Sequence, residues 1–443
     1  MTRIAQPPAQ PGAAAALWAS TFAFTACFAV WTIFSIIGVQ IKQDLHLTEA
    51  QFGLLVGTPI LTGSLIRIGL GVWTDQYGGR LVNLVVMLSA AAATFLLSWA
   101  HTYTQFLIAA LGVGIAGGSF AVGVAYVSRF FPKEKQGTAL GIFGAGNVGA
   151  AVTKFTAPFV MVAFGWEAVA QIWAGALAVI AVLFFLVTRD DPELTRRRLT
   201  GEKPQAAWLQ LSPLKKLQVW RFALYYFFVF GAFVALALWL PRYLVGAYGL
   251  DIKTAGMVAA AYSIPGSLFR IFGGWLSDRI GARRVMYVTF AVSAVCTFLL
   301  SYPATSYVVD GIGGPISFRI ATSLPAFIGI AFLLGFAMSL GKAAVFKHIP
   351  VYYPDHIGSV GGLVGMIGGL GGFVLPIAFG FLNDLTGVWT SCFMLLFVLV
   401  ATALVWMHFA IRRMEQARTP ALRDLPELPE MAPIHPASAQ AAE

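Results

Sequence analysis

Residues 49–80 read EAQFGLLVGTPILTGSLIRIGLGVWTDQYGGR, and residues 253–283 read KTAGMVAAAYSIPGSLFRIFGGWLSDRIGAR. The two stretches match at a constant offset of 203 residues, which superposes Arg67 on Arg270. The same shift aligns glycines and polar residues: Gly53 with Gly256, Gly63-Ser64 with Gly266-Ser267, Gly71 with Gly274, Asp75 with Asp278, Gly78 with Gly281 and Arg80 with Arg283. The chain therefore contains two copies of one unit, and each copy carries an arginine inside an apolar stretch.

The composition is that of a protein embedded in a membrane. Of the 443 residues, 58% are hydrophobic and 11% are charged, whereas about a quarter of the residues of a soluble domain are charged. Twelve apolar runs reach the roughly 20 residues with which a helix crosses a bilayer. They are 17–39, 51–73, 81–100, 104–127, 137–164, 166–187, 222–245, 254–276, 284–302, 322–345, 357–382 and 388–411. We therefore predict an all-α membrane protein with twelve transmembrane helices.

Positive charge sets the predicted orientation. The connection 188–221 holds eight lysines and arginines, so the positive-inside rule places it in the cytoplasm and an even span number places both termini there. The net charge of +10 is thus an orientation signal and not a nucleic-acid surface. We expect a monomer in the lipid bilayer of a bacterial cytoplasmic (inner) membrane. The predicted parts are an N-terminal tail (1–16), a six-helix half (17–187), the basic linker (188–221), a second six-helix half (222–411) and a C-terminal tail (412–443).

The sequence lacks the patterns of a catalytic or metal site. Cys27, Cys296 and Cys392 are isolated within apolar runs, so we interpret them as small packing residues. No cluster of His, Cys and carboxylate residues is placed to form a reactive pocket. We predict neither enzymatic activity nor a cofactor nor a metal. A membrane sensor is disfavoured because the sequence holds no long soluble domain.

Two short motifs follow the apolar arginines. GxxxDxxGGR (71–80) and GxxxDxxGAR (274–283) resemble the cytoplasmic loop motif of the major facilitator superfamily. Glycine permits the tight turn, and we predict that a set of charged residues forms gating pairs when the cytoplasmic side is closed: Asp75, Arg80, Asp278 and Arg283. Two parallel halves are typical of that superfamily, whose substrates bind between them near the bilayer midplane. Residues 303–320 are interpreted as an insertion in an outside loop.

The depth of the two arginines points to an anion. Eight residues at about 1.5 Å each place Arg67 and Arg270 roughly 12 Å from the motif aspartates, near the bilayer centre. A central arginine costs about 2.5–3.5 kcal/mol on the insertion scale, yet Glu167, at an outer edge, is the only carboxylate within a predicted span. Guanidinium groups facing each other at roughly 8 Å repel by about 2 kcal/mol, whereas an anion about 4 Å from both gains about 4 kcal/mol from each. This pair predicts a site that closes around an anion.

Two glycine-rich spans identify a family. Span five reads GTALGIFGAGNVGAAVTKFTAP (137–158) and span eleven reads GSVGGLVGMIGGLGGFVLP (358–376). Glycines at this spacing let helix backbones approach closely. Together with the two arginines, these segments resemble the paired signatures of the nitrate/nitrite porter family of the major facilitator superfamily, over about 17–411 of the sequence.

The resemblance implies a role for each of several residues. Arg67 and Arg270 are expected to clamp the anion, Asn147 to give it a hydrogen bond, and aromatic rings of spans four and seven to limit the cavity. In span four, Phe120 matches the family's aromatic position. In span seven, Tyr226 and Phe230 fit the family's aromatic pattern, and a shift of the alignment by one or two positions fits as well. Packing or lipid contact is the alternative for each ring. The implied gating glycines are Gly144, Gly146, Gly149, Gly365 and Gly368.

The coupling ion follows from an absence. With no carboxylate near the arginines, Lys342 and Lys154 are the titratable candidates for proton coupling. Burial and neighbouring cations disfavour a charged lysine, and a bound anion reverses this. The segment GKAAVFKHIP of span ten also resembles the proton–nitrate symporter subgroup. We predict nitrate import by proton symport, with nitrate/nitrite antiport, or exchange of another small anion such as oxalate or formate, as alternatives.

Overall fold

The structure, a computed structural model, describes residues 11–131, 133–200, 216–352 and 357–418. Within those ranges a few side chains are not described, among them those of Asp75 and Asp278. The part of the chain that is described is helical apart from one hairpin and short connections.

Helices up to residue 200 are bounded as follows. They are α1 (Ala13–Trp31), α2 (Phe34–Asp44), α3 (Glu49–Leu65), α4 (Arg67–Tyr77), α5 (Gly79–Leu97), α6 (Tyr103–Val113), a 3₁₀ segment (Gly114–Gly118), α7 (Ser119–Ser128), α8 (Lys133–Gly144), a second 3₁₀ segment (Ala145–Val148), α9 (Gly149–Phe164), α10 (Trp166–Val187) and α11 (Pro192–Thr200).

The elements after residue 216 repeat part of this order. They are α12 (Leu217–Tyr226), a π segment (Phe227–Ala232), α13 (Phe233–Tyr248), α14 (Ile252–Leu268), α15 (Arg270–Ile280), α16 (Ala282–Ser301), β1 (Thr305–Gly311), β2 (Gly314–Ile320), α17 (Leu324–Tyr352), α18 (Ile357–Thr386) and α19 (Ser391–Arg418). The predicted insertion 303–320 thus forms an antiparallel hairpin of β1 and β2.

Within the described ranges, eleven helical segments are long and apolar enough to cross a membrane. Each overlaps one of the predicted spans. The second predicted span, 51–73, is not among the eleven; the chain there is divided at Ile66 into α3 and α4, of 17 and 11 residues. Helix α19 continues beyond the predicted span end at 411, and α11 lies inside the predicted linker.

Matching positions of the sequence repeat have matching backbone structure. Arg67 is the first residue of α4 and Arg270 the first residue of α15, each after a break from the preceding helix. Gly78 and Gly281 then have φ of 85° and 88° and lead into the next helix. A residue with a side chain is strained at such positive φ, which explains glycine at both turns. The repeat therefore places each arginine at a helix break.

Helices α3 and α18 are tightly packed against each other. A Cβ added at Gly57 would lie 2.8 Å from the carbonyl oxygen of Phe373, so the two backbones are nearly in contact. Nearer the start of α3, the Asp384 carboxylate accepts from the backbone N–H groups of Glu49 and Ala50, at 3.1 and 2.8 Å. Arg242 forms an ion pair with the Glu49 carboxylate. These contacts join the start of α3 to α13 and α18.

Candidate anion-binding site

Arg67 reaches from the first predicted six-helix half to the second. Its side chain is 6% exposed, and its Nη1 donates a hydrogen bond of 2.9 Å to the carbonyl oxygen of Gly365 on α18. The guanidinium carbon lies 5.7 Å from the ring centre of Trp31, 5.4 Å from Phe120 and 5.9 Å from Phe230. These distances are within the range of cation–π attraction, so Arg67 is enclosed by rings on several sides.

Arg270 approaches the same space from α15. It is also 6% exposed, and its guanidinium carbon lies 5.9 Å from the Phe120 ring and 5.9 Å from the Phe346 ring. A Cβ added at Gly144 would lie 3.2 Å from that guanidinium carbon. The glycine therefore leaves room for the arginine, and the Phe120 ring is shared by both cations.

Neither cation has an anionic partner among the described residues. The ion pairs found there join Lys42 and Arg242 to Glu49, Arg80 to Asp190, Arg129 to Asp191, and Arg283 to Glu415. Several buried polar atoms of the site also lack a hydrogen-bond partner: Nε of Arg67, Nη1 of Arg270, both amide atoms of Asn147, and the hydroxyl of Tyr226. Buried polar atoms are usually paired, so this set is suited to a polar or charged ligand.

Two rings of the seventh predicted span are stacked. Tyr226 and Phe230 have ring centres 5.0 Å apart and planes inclined by 8°. The π segment begins at Phe227, directly after Tyr226, and contains Phe230. Such a bulge changes the helical register and is frequent at functional sites. Gly368 of α18 lies against the Tyr226 ring with no space for a side chain between them.

Asn147 and the predicted glycines of span five lie where the chain leaves regular α-helix. Asn147 is fully buried within the 3₁₀ segment Ala145–Val148. A Cβ at Gly146 would lie 2.6 Å from Cδ1 of Phe24, and one at Gly149 would lie 2.7 Å from the backbone nitrogen of Ala29. These glycines therefore permit close packing of span five on α1, while Gly144 faces Arg270.

The two lysines occupy different places. Lys154 is fully buried on α9, and its Nζ donates 2.6 Å to the hydroxyl of Ser263 on α14. Lys342 is fully buried on α17, donates 2.7 Å to the carbonyl of Gly266, and lies 3.0 Å from the centre of the Phe233 ring. The hydrogen bond of Lys154 thus joins the first predicted six-helix half to the second, whereas the contacts of Lys342 lie within the second predicted half.

Arg80 and Arg283, the arginines of the two short motifs, each pair with a residue of the same predicted six-helix half. Arg80 donates 2.7 Å to the carbonyl of Phe185 at the end of α10. Arg283 donates 2.8 Å to Glu415 of α19 and 2.5 Å to the hydroxyl of Tyr352. The predicted partners Asp75 and Asp278 lie outside the described side chains, so the predicted gating pairs stay a prediction.

Two rings beside the arginines were missed by sequence reasoning. Phe346 contacts the Tyr226 ring edge-on at 4.9 Å and lies near Arg270, while Trp31 lies near Arg67. Phe346 is one helical turn after Lys342, so a shared helix face was a usable signal. Trp31 had no signal of its own in an α1 that is apolar all round.

The arrangement is a cationic site with aromatic walls. Guanidinium groups supply planar, forked donors that match the oxygens of a small oxyanion. Aromatic rings lie beside both guanidinium groups. The site is therefore suited to a small oxyanion.

Comparisons with known proteins place the chain in a family. The chain matches the family described as Major Facilitator Superfamily over residues 19–310 and 247–439. It is 40% identical to a protein of Thermus thermophilus named "Probable nitrate/nitrite antiporter NarK1", over 92% of this chain and 94% of that protein. It is 32% identical to the "Nitrite extrusion protein" of Bacillus subtilis, over 88% of this chain and 94% of that protein.

A third relative and a solved structure extend the comparison. The "Probable nitrate transporter NarT" of Staphylococcus carnosus is 31% identical over 88% of this chain and 94% of that protein. The crystal structure of a bacterial homolog of the human lysosomal transporter Spinster, in an inward-facing and occupied conformation, superposes with a TM-score of 0.68. It covers 91% of this chain and 98% of its own, at 16% sequence identity. That likeness concerns the fold.

Proposed function

Since the chain belongs to the Major Facilitator Superfamily and, within it, to the nitrate/nitrite porters, we propose that it imports nitrate as a secondary active transporter coupled to protons. The observation that carries the proposal is the pair Arg67 and Arg270, both buried, both beside the Phe120 ring and without a carboxylate partner in the described residues. An unpaired charge inside a membrane protein is costly. A bound anion would offset that cost.

The proposed clamp uses different atoms of the two arginines. Nη1 of Arg67 already donates to Gly365, which leaves its unpartnered Nε for an anion oxygen. Arg270 offers Nη1, and Asn147 offers its amide group. Hydrogen bonds between charged partners are shorter and about twice as strong as neutral ones. Nitrate has three oxygens in one plane and can accept from donors on several sides at once.

The aromatic rings are proposed to select for a flat anion. Phe120 lies beside both guanidinium groups, and the stacked pair of Tyr226 and Phe230 lies on the side of Arg67. A planar monoanion fits between ring faces while it accepts hydrogen bonds in its own plane. A tetrahedral anion such as phosphate is thicker and carries more charge. The rings therefore favour nitrate or nitrite over phosphate.

Transport is proposed to follow alternating access between two six-helix halves, 17–187 and 222–411. In this arrangement twelve helices cross a bacterial inner membrane, both termini are cytoplasmic, and the protein acts as a monomer. The close contact of α3 with α18 at the outer end supports a state closed on that side. Loss of those contacts, and closure at the cytoplasmic motifs, would complete the cycle.

Proton coupling is proposed to depend on the buried lysines. Lys342 and Lys154 are both fully buried, and Lys342 lies 5.9 Å from the ring of Phe230, which also faces Arg67. Burial and nearby cations disfavour the charged ammonium, and an anion between the arginines favours it. Anion and proton would then load together.

Nitrate/nitrite antiport is the second candidate. It is favoured by the printed name of the Thermus thermophilus relative, which is 40% identical. In antiport, the export of bound nitrite would return the transporter to its outward-facing state. The lysines would then contribute only to the shape of the site.

Uptake into proteoliposomes separates the two candidates. Purified full-length protein is reconstituted, and labelled nitrate is added with an inward proton gradient or with internal nitrite. Symport predicts accumulation with the gradient alone and acidification inside. Uptake that requires internal nitrite and ignores the gradient would assign antiport. Absence of nitrate uptake in both cases would contradict nitrate transport.

A further inference from the structure

The end of α14, just before Arg270, carries a carbonyl group that the helix itself does not satisfy. The last four carbonyls of an α-helix have no partner within the helix. In α14 these belong to residues 265–268, because the helix ends at Leu268. The carbonyl of Pro265 accepts from the backbone of Phe269, and that of Gly266 accepts 2.7 Å from Nζ of Lys342.

A ring covers the same glycine. A Cβ at Gly266 would collide with the Phe233 ring, and the Lys342 ammonium lies 3.0 Å from the centre of that ring. The ammonium is thus held between the face of an aromatic ring and a free carbonyl. An ammonium in this place donates to the carbonyl and is attracted by the face of the ring.

In the first repeat copy an aromatic side chain lies against the matching glycine but bonds to a different carbonyl. Nε1 of Trp31 would lie 2.7 Å from a Cβ at Gly63, the repeat counterpart of Gly266. The same atom donates 2.8 Å to the carbonyl of Pro59, one turn before Gly63 and inside α3. Trp31 and Phe233 occupy nearly matching places, since they differ by 202 positions and the glycines by 203. A ring therefore covers the matching glycine in both copies, whereas the carbonyl at the end of α14 is bonded to the ammonium of Lys342.

From this difference between the two repeat copies we propose that Lys342 is a positioning residue for Arg270. Its ammonium, acting with the Phe233 ring, caps the end of α14 at Gly266 and so fixes the break after which Arg270 enters the site. The inference rests on the proposed function only for the identity of the anion. It deepens that function by assigning the route from a titratable group to the clamp: the Lys342 cap can gain and lose a proton, and the indole of Trp31 in the first copy cannot.

Few other groups near Lys342 can titrate. Among the described residues, Arg270 of α15 is the charged group that acts on it. Tyr262 of α14 directs its hydroxyl to Met338 and the Phe233 carbonyl, and Lys154 of α9 reaches the same helix at Ser263. The neutral ring of Phe230 faces it from the π segment. A change in the charge of Lys342 is therefore felt first by the helix end and by Arg270.

The test compares three variants of the full-length protein in detergent. Lys342→Met keeps the length and loses the donor, Lys342→Gln keeps a donor that does not titrate, and Trp31→Phe keeps a ring beside Gly63 and removes the indole donor to Pro59. Two quantities are measured. The first is the nitrate Kd between about pH 6 and about pH 9, a range that spans neutrality. The second is the rate of hydrogen exchange of the backbone amides of residues 266–270 in the absence of nitrate.

The cap predicts a distinct pattern. Lys342→Met raises the Kd by about tenfold, which is about 1.4 kcal/mol, and accelerates exchange at 266–270. Lys342→Gln restores slow exchange, and its Kd no longer rises as the pH rises. Trp31→Phe raises the Kd but keeps the pH dependence of the unchanged protein. Native exchange and native Kd in Lys342→Met would overturn the proposal. If the unchanged protein does not bind nitrate, the proposed function fails, and the exchange measurement still decides whether Lys342 holds the helix end.

Discussion

Arg67 and Arg270 come from matching positions of the repeat, but they are held differently. Arg67 donates to the Gly365 carbonyl and lies near three rings. Arg270 lies near two rings, and within the described part of the chain the buried Nη1 of its guanidinium has no hydrogen-bond partner. The first arginine is thus attached across the interface before any anion is present, and the second is not.

The difference indicates a division of roles. A guanidinium fixed to a backbone carbonyl is pre-organised, so less freedom is lost when it binds a ligand. A guanidinium without such a bond can move toward an anion when one arrives. We infer that Arg67 forms the fixed side of the clamp and Arg270 the side that closes.

The largest expected effect comes from changing the arginines themselves. Arg67→Lys and Arg270→Lys keep the charge and lose the forked donor. We expect nitrate uptake into proteoliposomes to fall by at least about tenfold in each. Arg319→Lys, on the exposed strand β2 and away from the site, serves as the matched control for insertion. Near-native uptake by either site variant would remove that arginine from the clamp.

The shared ring should matter more than the ring on one side. Phe120→Ala opens the space beside both guanidinium groups, while Phe230→Ala opens it beside Arg67 alone. We expect both to weaken the preference for nitrate over chloride, by several-fold more in Phe120→Ala, because more of the ring contact is lost. Competition of each anion with labelled nitrate measures this preference. Equal and unchanged preferences would mean that the rings do not define the ligand's thickness.

Substitution of alanine for a glycine beside each arginine distinguishes a fixed guanidinium from a movable one. A Cβ at Gly144 would lie 3.2 Å from the Arg270 guanidinium carbon, and one at Gly369 would lie 3.3 Å from Nη1 of Arg67 and collide with Ser64. Arg270 can yield, whereas Arg67 is held by Gly365. Gly144→Ala should therefore raise the nitrate Kd only a few-fold, about 1 kcal/mol or less, and Gly369→Ala should raise it more. The reverse order, from isothermal titration, would contradict the division of roles.

The smallest expected effect lies at the ion pair between Glu49, at the start of α3, and Arg242. Glu49→Gln removes the ion pair with Arg242 that joins the two copies, and Glu415→Gln removes the pair with Arg283 inside one copy. Partly exposed ion pairs contribute about 0–1 kcal/mol. We expect Glu49→Gln to change the uptake rate by about twofold and Glu415→Gln to leave it unchanged. A larger change in Glu415→Gln would shift attention to the cytoplasmic motif.

Much of the fold could be predicted from the sequence because hydrophobic length and repetition are direct signals of membrane helices. Eleven of the predicted spans overlap helices that are long and apolar enough to cross a membrane. The division of the second span at Ile66, the 3₁₀ segments and the π segment were not predicted. Such irregularities depend on packing against neighbouring helices, which hydropathy does not record.

The site was predictable in composition and not in contacts. The repeat singled out Arg67 and Arg270, and the glycine-rich segments drew attention to Asn147. The hydrogen bond from Arg67 to Gly365 joins residues 298 positions apart, and no local pattern indicates it. The different hydrogen-bond partners of Lys154 and Lys342 could not be predicted either. In the sequence each is a single lysine in an apolar helix, and its partner depends on which helix packs against it.

The claim that one anion lies between both arginines is tested most directly by a double-mutant cycle on nitrate binding. The Kd is measured by isothermal titration for the unchanged protein, Arg67→Lys, Arg270→Lys and the double variant. Residues that act on one ligand together are not additive. We therefore predict that each single change raises the Kd by at least about tenfold and that the double change raises it little further. Independent costs that multiply in the double variant, or a native Kd in either single variant, would contradict a shared anion.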